Sequence, residues 1–213
     1  MSVIEVYADI WCPFAHVGLR SILERRRQLG RDNVPIIVRS WPLELVNGTP
    51  LDPCTTAEHV KDLREQVAPE LFRHCDPDHF PTTTLPALAL AAASYRKDAR
   101  LGETVSFALR DALFEEGRDI SQPDVLSSLA RRYGVRVVQA DHDAVLTEWH
   151  EGEARGVRGS PHFFCGGTEM FCPSLQIGRN AEGRLQNRRD RDALDTFLEQ
   201  CFQAPTMSSP SQR

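Results

Sequence analysis

The apolar pattern changes texture twice along this chain. At the start, Val3-Ile4-Glu5-Val6-Tyr7 is short, β-branched and aromatic, and predicts a strand. From Phe14 to Leu29 the apolar residues Ala15, Leu19, Ile22, Leu23 and Leu29 recur at helical spacing, and Gly30 marks a stop. Val34–Ser40 (VPIIVRS) predicts a second strand, apolar enough to be interior. Together these form a β-α-β unit with a right-handed crossover. From Thr56 to Gly156 the strand signal fades. Residues 57–72, 85–99, 103–117, 123–134 and 142–156 are each helix-sized, punctuated by Pro69, Pro86, Gly102, Gly117, Pro123 and Gly134. Asp141-His142-Asp143 offers a cap for the last of them. Strand texture returns at Pro161–Phe164 and Thr168–Phe171, separated by Gly166-Gly167 as in a tight hairpin. A final helix is predicted from Arg188 to Phe202, burying Leu194, Phe197 and Leu198. With the helical stretch removed, a thioredoxin-like core remains. The expectation is an α/β, thioredoxin-like fold: residues 1–50 and 157–203 form the core, 51–156 an all-helical insertion, and 204–213 a disordered Pro/Ser-rich tail.

Composition narrows the function. Apolar residues make up 41% of the 213, enough for a substantial core. The net charge of −5 argues against a nucleic-acid face, and Arg25-Arg26-Arg27 reads as a solvated helix end. No apolar stretch is long enough to span a bilayer. With no basic, cleavable segment ahead of the first strand, a cytoplasmic location is expected. Six cysteines in that reducing compartment read as catalytic or buried rather than as a disulfide framework.

The chemistry centres on Ala8–Leu19, ADIWCPFAHVGL. Pro13 suits the first helical turn, which sets Cys12 at the N-cap. Free backbone N–H groups and the helix dipole then favour a thiolate, and thiols so placed can reach a pKa of roughly 3.5–7.5. The alternative is a buried cysteine beside an incidental proline. Trp11 and Phe14 would give the thiol an apolar rim, or serve as ordinary core. His16 would bond to the sulfur or a substrate, or else face solvent on the first turn. Further on, Gly159-Ser160-Pro161 precedes a strand. If Gly166-Gly167 is the turn, Cys165 pairs with Thr168 and Cys172 falls opposite Pro161. Cys165 and Cys172 then lie roughly 13 Å apart along the strands, too far for a disulfide. Cys172 is either a thiol able to resolve a mixed disulfide or a buried strand-end residue. Cys54, Cys75 and Cys201 read as structural or incidental. His74-Cys75-Asp76-x-x-His79 fits no common zinc spacing, and no metal is assigned.

The segments Asp9-Ile10-Trp11-Cys12-Pro13-Phe14 and Gly156-Val157-Arg158-Gly159-Ser160-Pro161-His162-Phe163, with the helical block and closing hairpin, resemble the DsbA-like branch of the thioredoxin superfamily. Trp41-Pro42-Leu43-Glu44-Leu45 is similar to its FrnE-like members. The resemblance implies that Cys12 is the nucleophile, activated by Pro13 and the helix start. It also implies that Pro161 is cis and packs against Cys12. Trp11, Phe14, Ala15, His16 and Ser160 would face the substrate, and the Ser160 backbone would pair with a peptide or a small thiol such as glutathione. This chain departs from the family's Cys-x-x-Cys: Ala15 stands where the second cysteine would be. It cannot release a mixed disulfide as a second thiolate would. A related branch, the kappa-class glutathione transferases and 2-hydroxychromene-2-carboxylate isomerases, uses serine and bound glutathione. The leading expectation is therefore a monothiol thiol–disulfide oxidoreductase working with a low-molecular-weight thiol as cosubstrate. The second is a kappa-type transferase or isomerase, with Phe107, Leu109, Leu113 and Phe114 as candidate pocket residues. The third is a redox-inactive binding module. Partners are a small thiol or disulfide, with neither nucleic acid nor membrane. The sequence leaves a homodimer open.

Overall fold

The computed structural model describes residues 2–203. Strand β1 (Ile4–Ala8) leads into helix α1 (Pro13–Gln28), which returns the chain to β2 (Ile36–Ser40), parallel to β1. A short α2 (Leu43–Val46) follows, then α3 (Pro53–Gln66), a 3-10 turn at Pro77–His79, α4 (Leu85–Lys97), α5 (Ala99–Phe114), α6 (Pro123–Arg132) and α7 (Gln139–Arg155). Strands β3 (His162–Cys165) and β4 (Thr168–Phe171) form a hairpin. A second hairpin, β5 (Leu175–Arg179) and β6 (Leu185–Arg189), precedes α8 (Arg191–Gln203). The main sheet has the order β2-β1-β3-β4, and β1 runs antiparallel to β3. This is a thioredoxin-like α/β fold with the helical block inserted between β2 and β3. The tail, residues 204–213, lies outside the described residues.

Period-two alternation explains how the sheet is covered. Ile4, Val6 and Ala8 of β1 and Phe163 and Cys165 of β3 point to the side occupied by α1 and α8, where they meet Leu19, Ile22, Leu194, Phe197 and Leu198. Tyr7 and Phe164 point to the other face and pack with Trp41 and α7's Trp149. Gly152 lets α7 approach: a Cβ there would lie 2.7 Å from the Trp41 ring. The outer edge of β2 is closed by side chains from the helices. Ile36 N donates to Glu103, Val38 N to the Tyr95 hydroxyl and Ser40 N to Glu148, at 2.9, 3.0 and 2.8 Å. Each donor of that edge thereby finds an acceptor, and the edge cannot template another strand.

Four expectations need correction. Of the arginine run, Arg26 is 5% exposed. Its guanidinium grips both Glu103 oxygens at 2.8 and 2.6 Å and the Val34 carbonyl at 2.6 Å, since α5 crosses the end of α1. Arg25 pairs with Asp195 of α8. Asp141 lies within α7 rather than ahead of it, and caps backwards by accepting from Val138 N at 2.8 Å. The predicted final helix from Arg188 begins only at Arg191, because β6 occupies Leu185–Arg189. Lastly, Cys165 and Cys201 are joined by a disulfide, with Cα atoms 5.1 Å apart. The helix brings Cys201 down on the end of β3, a proximity that spacing along the chain does not reveal.

Among the described residues, no helix is long and apolar enough to cross a membrane, and no cluster of His, Cys, Asp or Glu has the arrangement of a metal site. His79 Nδ1 instead bonds Asp76 at 2.8 Å across the 3-10 turn.

Candidate active site

Cys12 stands at the N-cap of α1 in extended conformation, and Pro13 opens the first turn. The Ser160–Pro161 peptide is cis. The Cys12 thiol donates to the Ser160 carbonyl at 3.2 Å, and Asp9 N donates to Ser160 Oγ at 3.0 Å. Segments 148 residues apart in sequence thus meet on one serine. Gly18 allows this meeting, because a Cβ on it would come within 3.2 Å of Pro161 Cγ. On the far side, Cys172 N donates to the Pro161 carbonyl at 3.0 Å, and Cys172 adopts φ of 47° to turn the chain away from β4. The hairpin register is the one read from the Gly166-Gly167 turn: His162 faces Phe171 and Cys165 faces Thr168.

The residues expected to face a substrate divide. Phe14 is partly exposed and its ring lies 5.6 Å from that of His59. Ser160 is partly exposed. Trp11, Ala15 and His16 are fully buried and shape the site from beneath. Trp11 stacks on Phe80 with centroids 5.8 Å apart. His16 neither touches the sulfur nor faces solvent. It packs between Phe72 and Phe114 and its Nε2 lies 2.9 Å from Glu115. Phe107, Leu109, Leu113 and Phe114 are core, and none lines a described cavity.

Electrostatics differ from the N-cap expectation. Cys12 is 4% exposed. Burial pushes its thiol above the ordinary range; the Ser160 side chain and the N–H groups of Ala15 and Phe14 pull it down, Asp9 pushes it further up, and the net direction is upward. The helix terminus favours a thiolate, as the sequence implies, but the apolar surroundings outweigh it. The resting cysteine is a thiol. Burial and the neighbouring Cys12 likewise raise Cys172, to about 12.

Sequence reasoning gave no role to Asp9, Arg110 or Glu115. Asp9 is wholly buried, and its carboxylate accepts from Ile10 N at 2.7 Å and Leu43 N at 2.5 Å, tying β1 to the segment after β2. Burial lifts it to about 6 against those bonds. Arg110 is a cation set in the apolar stripe of α5 between Phe107 and Leu113, a signal that was readable. Glu115, just past α5, gathers His16, Phe72 N at 2.8 Å and Arg73 N at 3.3 Å. Burial acts to raise Glu115, but the bonds from His16 and those two N–H groups prevail and bring it to about 2. Burial keeps His16 below its ordinary value despite Glu115, so a neutral Nε2–H donates. A carboxylate with pKa about 2 in the fold against a usual 4.5 stabilises above pH 4.5, and that contribution is lost as pH falls toward 2. Acid unfolding followed by circular dichroism should accordingly begin at higher stability in the wild type than in Glu115→Gln, with the curves converging near pH 2. Parallel curves would refute the assignment.

The overall fold, which in this chain brings the cysteine at the start of α1 against the cis-proline segment, has counterparts among known proteins. The model of the DsbA-like thioredoxin domain matches residues 3–179. The chain belongs to that family. Among solved structures it is similar to a putative protein disulfide isomerase from Nitrosomonas europaea, at 18% identity over 93% of this chain and 98% of that one, with a TM-score of 0.63. The cytosolic disulfide reductase DsbM from Pseudomonas aeruginosa gives 14%, 95%, 100% and 0.59 for the same measures. A 2-hydroxychromene-2-carboxylate isomerase gives 13%, 79%, 88% and 0.59. No curated protein sequence matches the chain.

Proposed function

We propose that this DsbA-like protein is a thiol–disulfide oxidoreductase that works through Cys12 alone, with a low-molecular-weight thiol such as glutathione as cosubstrate. The observation that carries the reading is the Cys12 thiol held 3.2 Å from the Ser160 carbonyl, next to Pro161, with Ala15 at the position of a second cysteine. Cys12 Sγ gives up its proton and attacks a mixed disulfide between a target thiol and a small thiol. A Cys12–small-thiol disulfide forms, and the target leaves as a thiolate that takes up a proton. A second small thiol then attacks that bond through its thiolate. It frees Cys12 and departs as the oxidised dimer of the small thiol. The target gains two electrons and the small-thiol pair loses two.

Release by an external thiol is preferred to release by Cys172, whose buried sulfur is pushed to about 12 and supplies almost no thiolate at neutral pH. The Pseudomonas reductase, whose structure is also described with GSH, lends support to the small thiol and to a cytoplasmic setting. The isomerase-like reading is weaker, because the residues expected to line its pocket are core.

The reading is tested by turnover of a glutathionylated peptide. Cys12→Ser should abolish it and Cys172→Ser should retain it. Alkylation of Cys12 should still be quickening above pH 9, where a thiol of ordinary pKa levels off, because its own thiol pKa is raised. Turnover of an electrophile with glutathione that survives Cys12→Ser would instead establish the transferase-type chemistry.

A further inference from the structure

A buried guanidinium lies against the main chain between β1 and the cysteine, with no carboxylate bonded to it. Arg110 is 1% exposed. Its Nη1 donates to the Ser106 carbonyl at 2.9 Å and to Ser106 Oγ at 2.7 Å, its Nη2 donates to the Asp9 carbonyl at 3.1 Å, and its Nε has no partner. All these acceptors are neutral. A cation so enclosed is costly unless an anion lies near enough to offset it. Two acids share its neighbourhood. Asp9 hangs on the same Ser160 that accepts from Cys12, through Oγ for one and the main-chain oxygen for the other. Around them stand Tyr95 from α4, whose hydroxyl is committed to β2, Asp111 on α5, which pairs with Arg20, and Cys172 from the loop after β4.

We propose that Arg110 is a positioning residue for Cys12: it is the counter-charge that the Asp9 carboxylate and the Cys12 thiolate share, so that one acid can ionise freely only at the expense of the other. With Asp9 ionised, the charge of Arg110 is already balanced and the sulfur keeps its proton. With Asp9 neutral, Arg110 favours the thiolate. Burial brings Arg110 down to about 10 and Asp9 up to about 6, the directions expected of a cation and an acid in one dry pocket. The inference rests on Cys12 being the reactive sulfur, but it concerns ionisation and requires no turnover.

The test is the rate of Cys12 alkylation by iodoacetamide in the reduced full-length protein, read on the Cys12 peptide by mass spectrometry from pH 5 to 10. Arg110→Met should raise the apparent Cys12 pKa by about one unit and slow alkylation at pH 7 about tenfold. Arg110→Lys, which keeps the charge, should stay close to wild type. Asp9→Asn should act in the opposite sense and speed alkylation at pH 7 about tenfold. Equal slowing by Met and Lys would show a packing role and overturn the proposal, as would an Asp9→Asn rate at or below wild type. Should Arg110→Met fail to fold, the sign of the Asp9→Asn shift decides the matter. Shifts as expected in a protein with no exchange turnover would retain the charge-sharing and reject the proposed activity.

Discussion

Cys201→Ser is expected to lower the stability of the oxidised protein by about 4 kcal/mol, the chain-entropy value for a loop of this length. The bond joins the end of β3 to the last turn of α8 across 36 residues of sequence. Both cysteines are buried in the cluster that holds Leu194, Phe197 and Leu198. Without the bond, α8 keeps its apolar face and the Arg25–Asp195 pair. It loses the constraint that limits the unfolded chain. For a protein of this size the corresponding drop in Tm is roughly 10 °C. Thermal melts with and without reductant provide the check. Wild type should lose that margin in reductant, and Cys201→Ser should not respond. A wild-type Tm indifferent to reductant would show that the bond contributes nothing.

Gly102→Ala is expected to cost about 3 kcal/mol or more through overpacking and a broken edge contact. A Cβ on Gly102 would meet Cδ1 and Cγ of Tyr95 in a direct clash with the ring. That ring cannot retreat cheaply, since its hydroxyl donates to the Ile36 carbonyl at 3.1 Å and accepts from Val38 N at 3.0 Å. Either α4 and α5 separate, or β2 loses its partner and leaves a buried N–H unmet. Chemical denaturation should show a lower midpoint with an unchanged slope. A second variant, Tyr95→Phe, keeps the ring but removes the hydroxyl; it should cost less than Gly102→Ala. An alanine variant as stable as wild type would exclude the clash.

Much of this architecture was legible because each core element carries its own period. The alternation in Val3–Tyr7 and the stripe through Leu19, Ile22 and Leu23 need no tertiary information, and Gly166-Gly167 fixes the hairpin register by itself. The β5–β6 hairpin was hidden because its strands, LQIGR and LQNRR, bury few side chains. They are held by long-range polar bonds, from Gln66 to the Leu185 carbonyl and from Asn187 N to Gln66, that leave no mark on hydropathy. At the site, Cys12, Pro13 and Pro161 stood out by type and position. The state of the sulfur did not, because helix-end electrostatics can be inferred locally, whereas the burial that overrides it comes from chain folded over the cysteine. Arg25-Arg26-Arg27 teaches the same lesson, for only the arrival of Glu103 from α5 turns Arg26 inward.

The second hairpin also ties the site to the helical block. It continues the chain directly from Cys172, yet it is bolted to α3 through Gln66, Asp62 and the Val67 carbonyl. Cys172 in turn donates its N–H to the Pro161 carbonyl. The backbone that braces the proline beside the sulfur is therefore anchored at its other end to the helical insertion, so the sheet and the insertion share one hydrogen-bonded seam at the reactive centre.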